Sequence, residues 1–275
     1  MSLVRRQAHL LRTVAALSFQ SNLAYRFDAF LAGVTSPLYL LAQSVVWREV
    51  FRVSGRATLG GFDFPAMLSY LAVSYLMNAL TWDRVTETLK TEVREGSFIV
   101  HLLRPLSFLS FGFLAKIGDR SMALVLEVVP VTLVVGAFFG FAVFRCRNVP
   151  AFVAAVAIAF VISYLVALLL GMLAFWIVRP DGIIWIYLAF SRFFLGSWLP
   201  LSIFPGAVQK IFLLLPFQFV VFVPARLFTG GYELGGVALA PGTVLLYGLA
   251  QAALLFAVTL GLWRLSVRRF CGEGT

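Results

Sequence analysis

Between Arg147 and Arg179 the sequence contains no Asp, Glu, Lys, Arg or His, and its stretch 151–178 is almost wholly apolar. A helix in a soluble core needs a polar face. The hydrocarbon core of a bilayer, roughly 30 Å thick, takes about 20 such residues as one helix. Five further segments have this character, near 27–50, 64–83, 112–142, 183–203 and 241–263. Backbone in lipid must satisfy its own hydrogen bonds, so these runs predict an all-α integral membrane protein with six transmembrane helices. Composition agrees, with 61% hydrophobic and 12% charged residues, against about 45–50% and about 25% in soluble domains. No repeat, linker or soluble domain interrupts the pattern, so residues 1–275 read as a single transmembrane domain.

Residues 1–22 are amphipathic: Val4, Ala8, Leu11 and Ala15 share one helical stripe, and Arg5, His9 and Arg12 share another. That spacing predicts an interfacial helix, apolar side down, forming an N-terminal elbow before the first span. Arg12 interrupts the apolar stretch and no small-residue cleavage site follows, which speaks against a cleavable signal. The net charge of +10 suits inner loops and anionic lipid headgroups. No basic stripe interleaved with aromatics points to nucleic acid. With an interior N-terminus, six spans put about twice as many Lys and Arg inside as outside and leave both termini cytoplasmic. Cys146 and Cys271 then fall on opposite sides and do not pair, and no Cys/His grouping suits a metal.

Residues 204–230, FPGAVQKIFLLLPFQFVVFVPARLFTG, are apolar enough for a seventh span. Pro205 and Gly206 open the run, and Pro216 and Pro224 break it into pieces too short to cross singly. A seventh span would also nearly equalise the Lys and Arg on the two sides. The reading that fits both facts is a re-entrant outer helical hairpin before the last span. Backbone of that kind must be buried in protein or face water.

The chemistry of ATP hydrolysis is missing from these residues. There is no GxxxxGK[ST], and none of Lys90, Lys116 and Lys210 follows a glycine. HExxH, GxSxG and Asp-rich metal motifs are absent too. No catalytic or metal-ligating set emerges.

Residues 84–108 lie between the second and third spans and read RVTETLKTEVREGSFIVHLLRPLSF. The first part predicts a helix charged nearly all round, with Val85, Leu89 and Val93 as a narrow apolar stripe, projecting into water. Arg94 and Glu95 end it. Gly96 suits a left-handed C-terminal residue, and Ser97 is placed to cap a second short helix, FIVHLL. Arg104-Pro105 stops that helix. Phe98, Ile99, Leu102 and Leu103 are too apolar for open water and call for a partner, either the membrane surface or another protein.

The stretch REGSFIVHLLRPLS at 94–107 resembles the intracellular loop of the ABC type-2 transporter permeases. YRFDAFLAG at 25–33 is similar to that family's approach to its first span, and Trp198–Gly230 to its outer loop before the last span. The resemblance covers nearly the whole chain. It implies a permease in a bacterial inner (plasma) membrane, acting as an exporter. Two separate ATPase subunits, which bind ATP and Mg, would dock on a cytoplasmic coupling helix. A second permease, identical or paralogous, would complete the pore. On this resemblance Arg94, Glu95, Gly96, Ser97, His101, Leu103, Arg104 and Pro105 belong to the ATPase-coupling region. The chain itself would carry no cofactor and no enzymatic activity. Drugs, peptides, glycans and lipid-linked molecules are all family substrates.

A few polar residues lie inside the apolar runs. Glu127 in the third span and Arg192 in the fifth are expected at similar depth, and either alone in lipid costs about 2.5–3.5 kcal/mol. They form either an interhelical ion pair or part of a substrate path facing water. Asp119 and Arg120 are expected to snorkel to the inner edge. Asn78 and Ser74 suit interhelical hydrogen bonds, and Gly136 with Gly140 makes a small-xxx-small pair available for a dimer seam. From the residues alone, two other classes stay open: an intramembrane lipid-modifying enzyme, and a passive channel or scaffold.

Overall fold

The computed structural model describes residues 26–103 and 107–272, and helices joined by short turns make up most of them. The elbow expected over residues 1–22, together with Arg104 and Pro105, lies outside the described residues. In chain order the helices are α1 (Arg26–Ser54), α2 (Phe64–Thr81), α3 (Val85–Arg94), α4 (Ile99–Leu102), α5 (Phe108–Ala123), α6 (Val129–Phe139), α7 (Val149–Met172), α8 (Asp181–Phe194), α9 (Gly206–Leu214), α10 (Phe222–Thr229) and α11 (Pro241–Gly272).

Local chemistry explains most boundaries. Asp63 caps α2 by accepting from the Ala66 N–H at 2.9 Å, and Asn148 caps α7 by accepting from Ala151 at 3.1 Å. Each cap is followed by a proline in the first turn, where no N–H is needed. Between α5 and α6 the ladder widens to a π turn over Leu124–Val128, with the Val129 N–H bonding to Leu124 O. Pro130 cannot donate to the carbonyl four residues back, which is the local cause of the widening. Among the described residues, three helical stretches are long and apolar enough to cross a membrane: Phe108–Phe139, Val149–Phe175 and Pro241–Phe270. α1, at 29 residues, is of similar length but carries Arg48, Glu49 and Arg52 near its end.

The segment expected to span at 183–203 folds differently. Its helix, α8, has 14 residues and stops at Phe194, about 21 Å of rise. Gly196 follows at φ +78°, and its carbonyl accepts from the Tyr70 hydroxyl at 2.5 Å. The turn is therefore pinned to α2 before any helix could continue.

The outer segment is broken, but not at both expected prolines. Pro205 leads into α9 at Gly206, and Pro216 opens a 3₁₀ turn at Pro216–Phe219. Pro224, in contrast, sits within the first turn of α10, where a proline is tolerated. Residues 220–228 are buried throughout, packed on α2 and α7. Arg226, in the segment expected on the outer side, is buried with its guanidinium 4.4 Å from the Phe62 ring centre. After α10 comes an element that the hydropathy reading missed. Strands β1 (Tyr232–Leu234) and β2 (Val237–Leu239) pair antiparallel around Gly235 and Gly236, both at positive φ. The Gly-Gly between two apolar pairs was its sequence signal.

Gly136 and Gly140 shape the turn at the end of α6. Gly140 ends α6 at φ +84°, and the Phe141 ring folds onto Gly136, where a Cβ would come within 2.4 Å of it.

Two apolar clusters result. The larger gathers α2, α7 and α10 around Tyr70, Met67 and Phe222. The smaller holds Leu89, Phe98, Phe108, Leu168 and Phe175, with Trp263 and Phe270 against it. This second cluster fixes the segment between α2 and α5.

Candidate functional site

Helix α3 does not project clear of the bundle. Its stripe lies along α7: Leu89 is fully buried, and the Thr86 hydroxyl donates to Ala167 O at 2.9 Å. Gly171 makes the close approach possible, since a Cβ there would sit 3.1 Å from Leu89. Only the opposite, polar face of α3 remains exposed. Midway along α3, Lys90 Nζ lies 2.7 Å from Asp181 Oδ1 and 2.6 Å from Glu87 Oε2, tying α3 to the start of α8. The Asp181 hydrogen bond, then that of Glu87, raises the Lys90 pKa above its ordinary value. The same contact with Lys90 lowers that of Asp181.

Glu95 closes α3 and Gly96 takes the left-handed conformation, φ +74°, as its place in the sequence suggested. Ser97 does not cap the second helix with its side chain. Phe98 occupies that position, and the turn is held by backbone bonds from Val100 N–H to Ser97 O and from Phe98 N–H to Glu92 O. The four apolar residues expected to seek an outside partner divide. Phe98 is fully buried, with Phe175, Phe270, Trp263 and Phe108 ring centres 5.2, 5.3, 5.8 and 5.8 Å away. Ile99 and Leu102 are exposed, and Leu103 is 83% exposed. His101 turns inward, its Nε2 2.9 Å from Glu92 Oε2. Arg94, Glu95, Gly96 and Ser97 stay on the surface. The segment is therefore anchored by one aromatic ring and leaves a mixed apolar and charged face open.

Glu127 and Arg192 line one cavity of about 430 Å³ between α1, α2, α5 and α8. They do not pair with each other. Arg120 supplies the positive charge facing Glu127, and the Arg192 guanidinium lies 5.6 Å from the Trp198 ring centre. Glu127 sits on the π turn, which sets its direction into the cavity. Tyr39 and Tyr75, with ring centres 6.0 Å apart, line one part of the wall, and Trp82 and Trp198 line others. Asn78 ties α2 to the turn after α8 rather than to another helix: its Oδ1 accepts from the Ser197 hydroxyl at 3.2 Å, while its amide donates to Ser74 O within α2. Arg120 does not snorkel: its Nη1 donates to Ala79 O at 2.9 Å, across the cavity wall.

A second, smaller space of about 130 Å³ adjoins the first and shares Trp82, Arg84 and Arg120 with it. Its other lining includes Asp83, Glu92, His101, Lys116 and Asp119, so it runs from the anchored segment to the larger cavity. Its centre is a pair that sequence reasoning missed. Lys116 is only 4% exposed, with Nζ 2.9 Å from Asp83 Oδ2 and 2.8 Å from Ser163 Oγ. Its ammonium also lies 4.7 Å from the Phe160 ring centre. A lone Lys amid an apolar run was the available signal, but nothing in the spacing named Asp83 as its partner. Among the described residues, no cluster of His, Cys, Asp and Glu could hold a metal ion. The arrangement can bind and hold charge; it offers no converging nucleophile and base.

Comparison with known proteins is consistent with this. A family model described as ABC-2 family transporter protein matches residues 38–274, from within α1 to the chain's last residues. No curated protein matches the chain.

Proposed function

The chain belongs to the ABC-2 transporter family, and on that premise we propose that it is the permease subunit of an exporter powered by separate ATPase subunits. It is a multi-pass membrane protein, and in this reading it forms one domain of six spans, the fifth being the short helix α8 with the turn that follows it, with the N-terminal elbow in the interface and both termini in the cytoplasm of a bacterial cell. Two ATPase subunits, holding ATP and Mg, dock on residues 84–108, and a second permease, identical or paralogous, completes the pathway. The outer hairpin at 204–230 closes the pathway from the far side. Glu127 and Arg192 line the substrate path.

The observation that carries the reading is the segment between α2 and α5. One side of it is locked into the bundle through Phe98 and Leu89, while Arg94, Glu95, Ile99, Leu102 and Leu103 are left open. A rigid element with an unfilled apolar and charged face transmits force from whatever grips it, in the manner of rigid-body switching.

Co-expression with an ATPase encoded beside this chain tests it. Leu103→Asp and Gly96→Pro are expected to abolish co-purification and stimulated ATP hydrolysis while leaving membrane insertion intact. Full stimulation in both variants would overturn the coupling role. Lipid turnover by the purified chain alone would favour an enzyme instead.

A further inference from the structure

We propose that the cavity between α1, α2, α5 and α8 binds the anionic head of an amphiphile, with its aromatic wall taking the adjoining apolar body. The role of this site in export rests on the permease reading; the binding itself does not. Arg84, Arg120, Arg192 and one carboxylate, Glu127, line the cavity, so its lining is net positive, while Asp83 and Asp119 lie in the adjoining space and also act on Arg120. Arg120 is held in place by Ala79 O, and its Nε is buried without a hydrogen-bond partner. From that anchored position its side chain lines the cavity. Guanidinium groups suit phosphate and carboxylate oxygens through paired donors.

The rest of the wall excludes simpler ligands. The volume of about 430 Å³ falls in the range of about 300–1,000 Å³ typical of small-molecule sites, well beyond the needs of a bare phosphate. Tyr39, Tyr75, Trp82 and Trp198 add four aromatic side chains to the same lining. Four such rings with a carboxylate would suit a quaternary ammonium cation, but three guanidinium groups in the same space oppose a cation. Glu127, displaced into the cavity by the π turn, limits how much negative charge the site accepts.

The test uses the full chain in an uncharged maltoside detergent, without ATPase, titrated by calorimetry with dodecyl phosphate, inorganic phosphate and dodecyltrimethylammonium. Dodecyl phosphate is expected to bind saturably. Arg192→Gln and Arg120→Gln should each weaken it about 10- to 100-fold, the range for a lost hydrogen bond to a charged group. Glu127→Gln should leave binding as tight or tighter. Arg192 is exposed, so its variant reports on binding even if loss of the Arg120–Ala79 bond impairs folding. Inorganic phosphate binding as tightly would overturn the amphiphile, and dodecyltrimethylammonium binding that is lost in Glu127→Gln would overturn the anion. No saturable binding, or unchanged binding in both arginine variants, would overturn the site. With no ATPase present, such failures leave the permease reading intact, and failed ATPase stimulation leaves this one intact.

Discussion

Phe98→Ala removes the ring that anchors the segment between α2 and α5. The side chain is fully buried, and four aromatic rings lie with centres 5.2–5.8 Å away. Truncating a buried Phe costs about 3–5 kcal/mol. Between Glu95 and Leu103 the only other buried side chain is that of His101. Little else holds these residues down, so the cost falls on local docking rather than on the whole fold. At about 1.4 kcal/mol per factor of ten, the undocked population should rise by roughly two to four powers of ten. Hydrogen exchange read by mass spectrometry on the purified chain should show residues 95–103 losing protection by about that factor, with α7 unchanged. ATPase stimulation should fall although every exposed residue of the segment is intact, and Phe98→Leu should retain much of both. Unchanged protection over 95–103, or a loss spread equally into α7, would refute the idea of a single-ring anchor.

Lys116→Met leaves Asp83 as an uncompensated buried charge and should cost about 3–5 kcal/mol, while Asp83→Asn with Lys116→Met should recover most of it. Thermal unfolding in detergent of the singles and the double decides this, and additive losses would contradict a mutually dependent pair. Gly196→Ala should cost more than the roughly 1–2 kcal/mol of left-handed strain alone, because its Cβ would come 2.9 Å from the Tyr70 hydroxyl. Gly55→Ala, with open space around it, should show the strain and nothing further. The Lys90–Asp181 tie should be insensitive to pH over a wide range. Asp181, with its pKa lowered, contributes above the ordinary carboxylate value of about 3.9 and loses that as pH falls through its folded value. Lys90, with its pKa raised, contributes below about 10.4 and loses that as pH rises through its folded value. The destabilisation by Asp181→Asn should therefore be equal at pH 6 and pH 9.

Single residues show why some features were legible and others not. Gly96 is in the left-handed conformation because only glycine adopts it without strain, and that is a property of one residue. The breaks at Pro205 and Pro216 are likewise local, since a missing N–H acts wherever the chain lies. Ser97 shows the limit of the same logic. Its capping potential was real, but burial of Phe98 in the aromatic cluster set the helix start instead. Pro224 shows another: a proline breaks a helix interior and fits a first turn, and only the position of Val221 decided which applied. The fifth apolar run was read through to 203 because hydropathy does not register a glycine carbonyl captured by a distant tyrosine.

The apolar runs, the polar punctuation at 84–108 and the absence of phosphate-binding motifs came from the sequence alone. Transfer free energy and backbone freedom are summed residue by residue and need no knowledge of neighbours. Which way Phe98 and Leu103 point, that Lys116 meets Asp83, and that Glu127 and Arg192 share a cavity without pairing are products of tertiary structure. Each depends on which helices pack side by side and at what rotation, and long-range burial settles that after the local preferences have been spent.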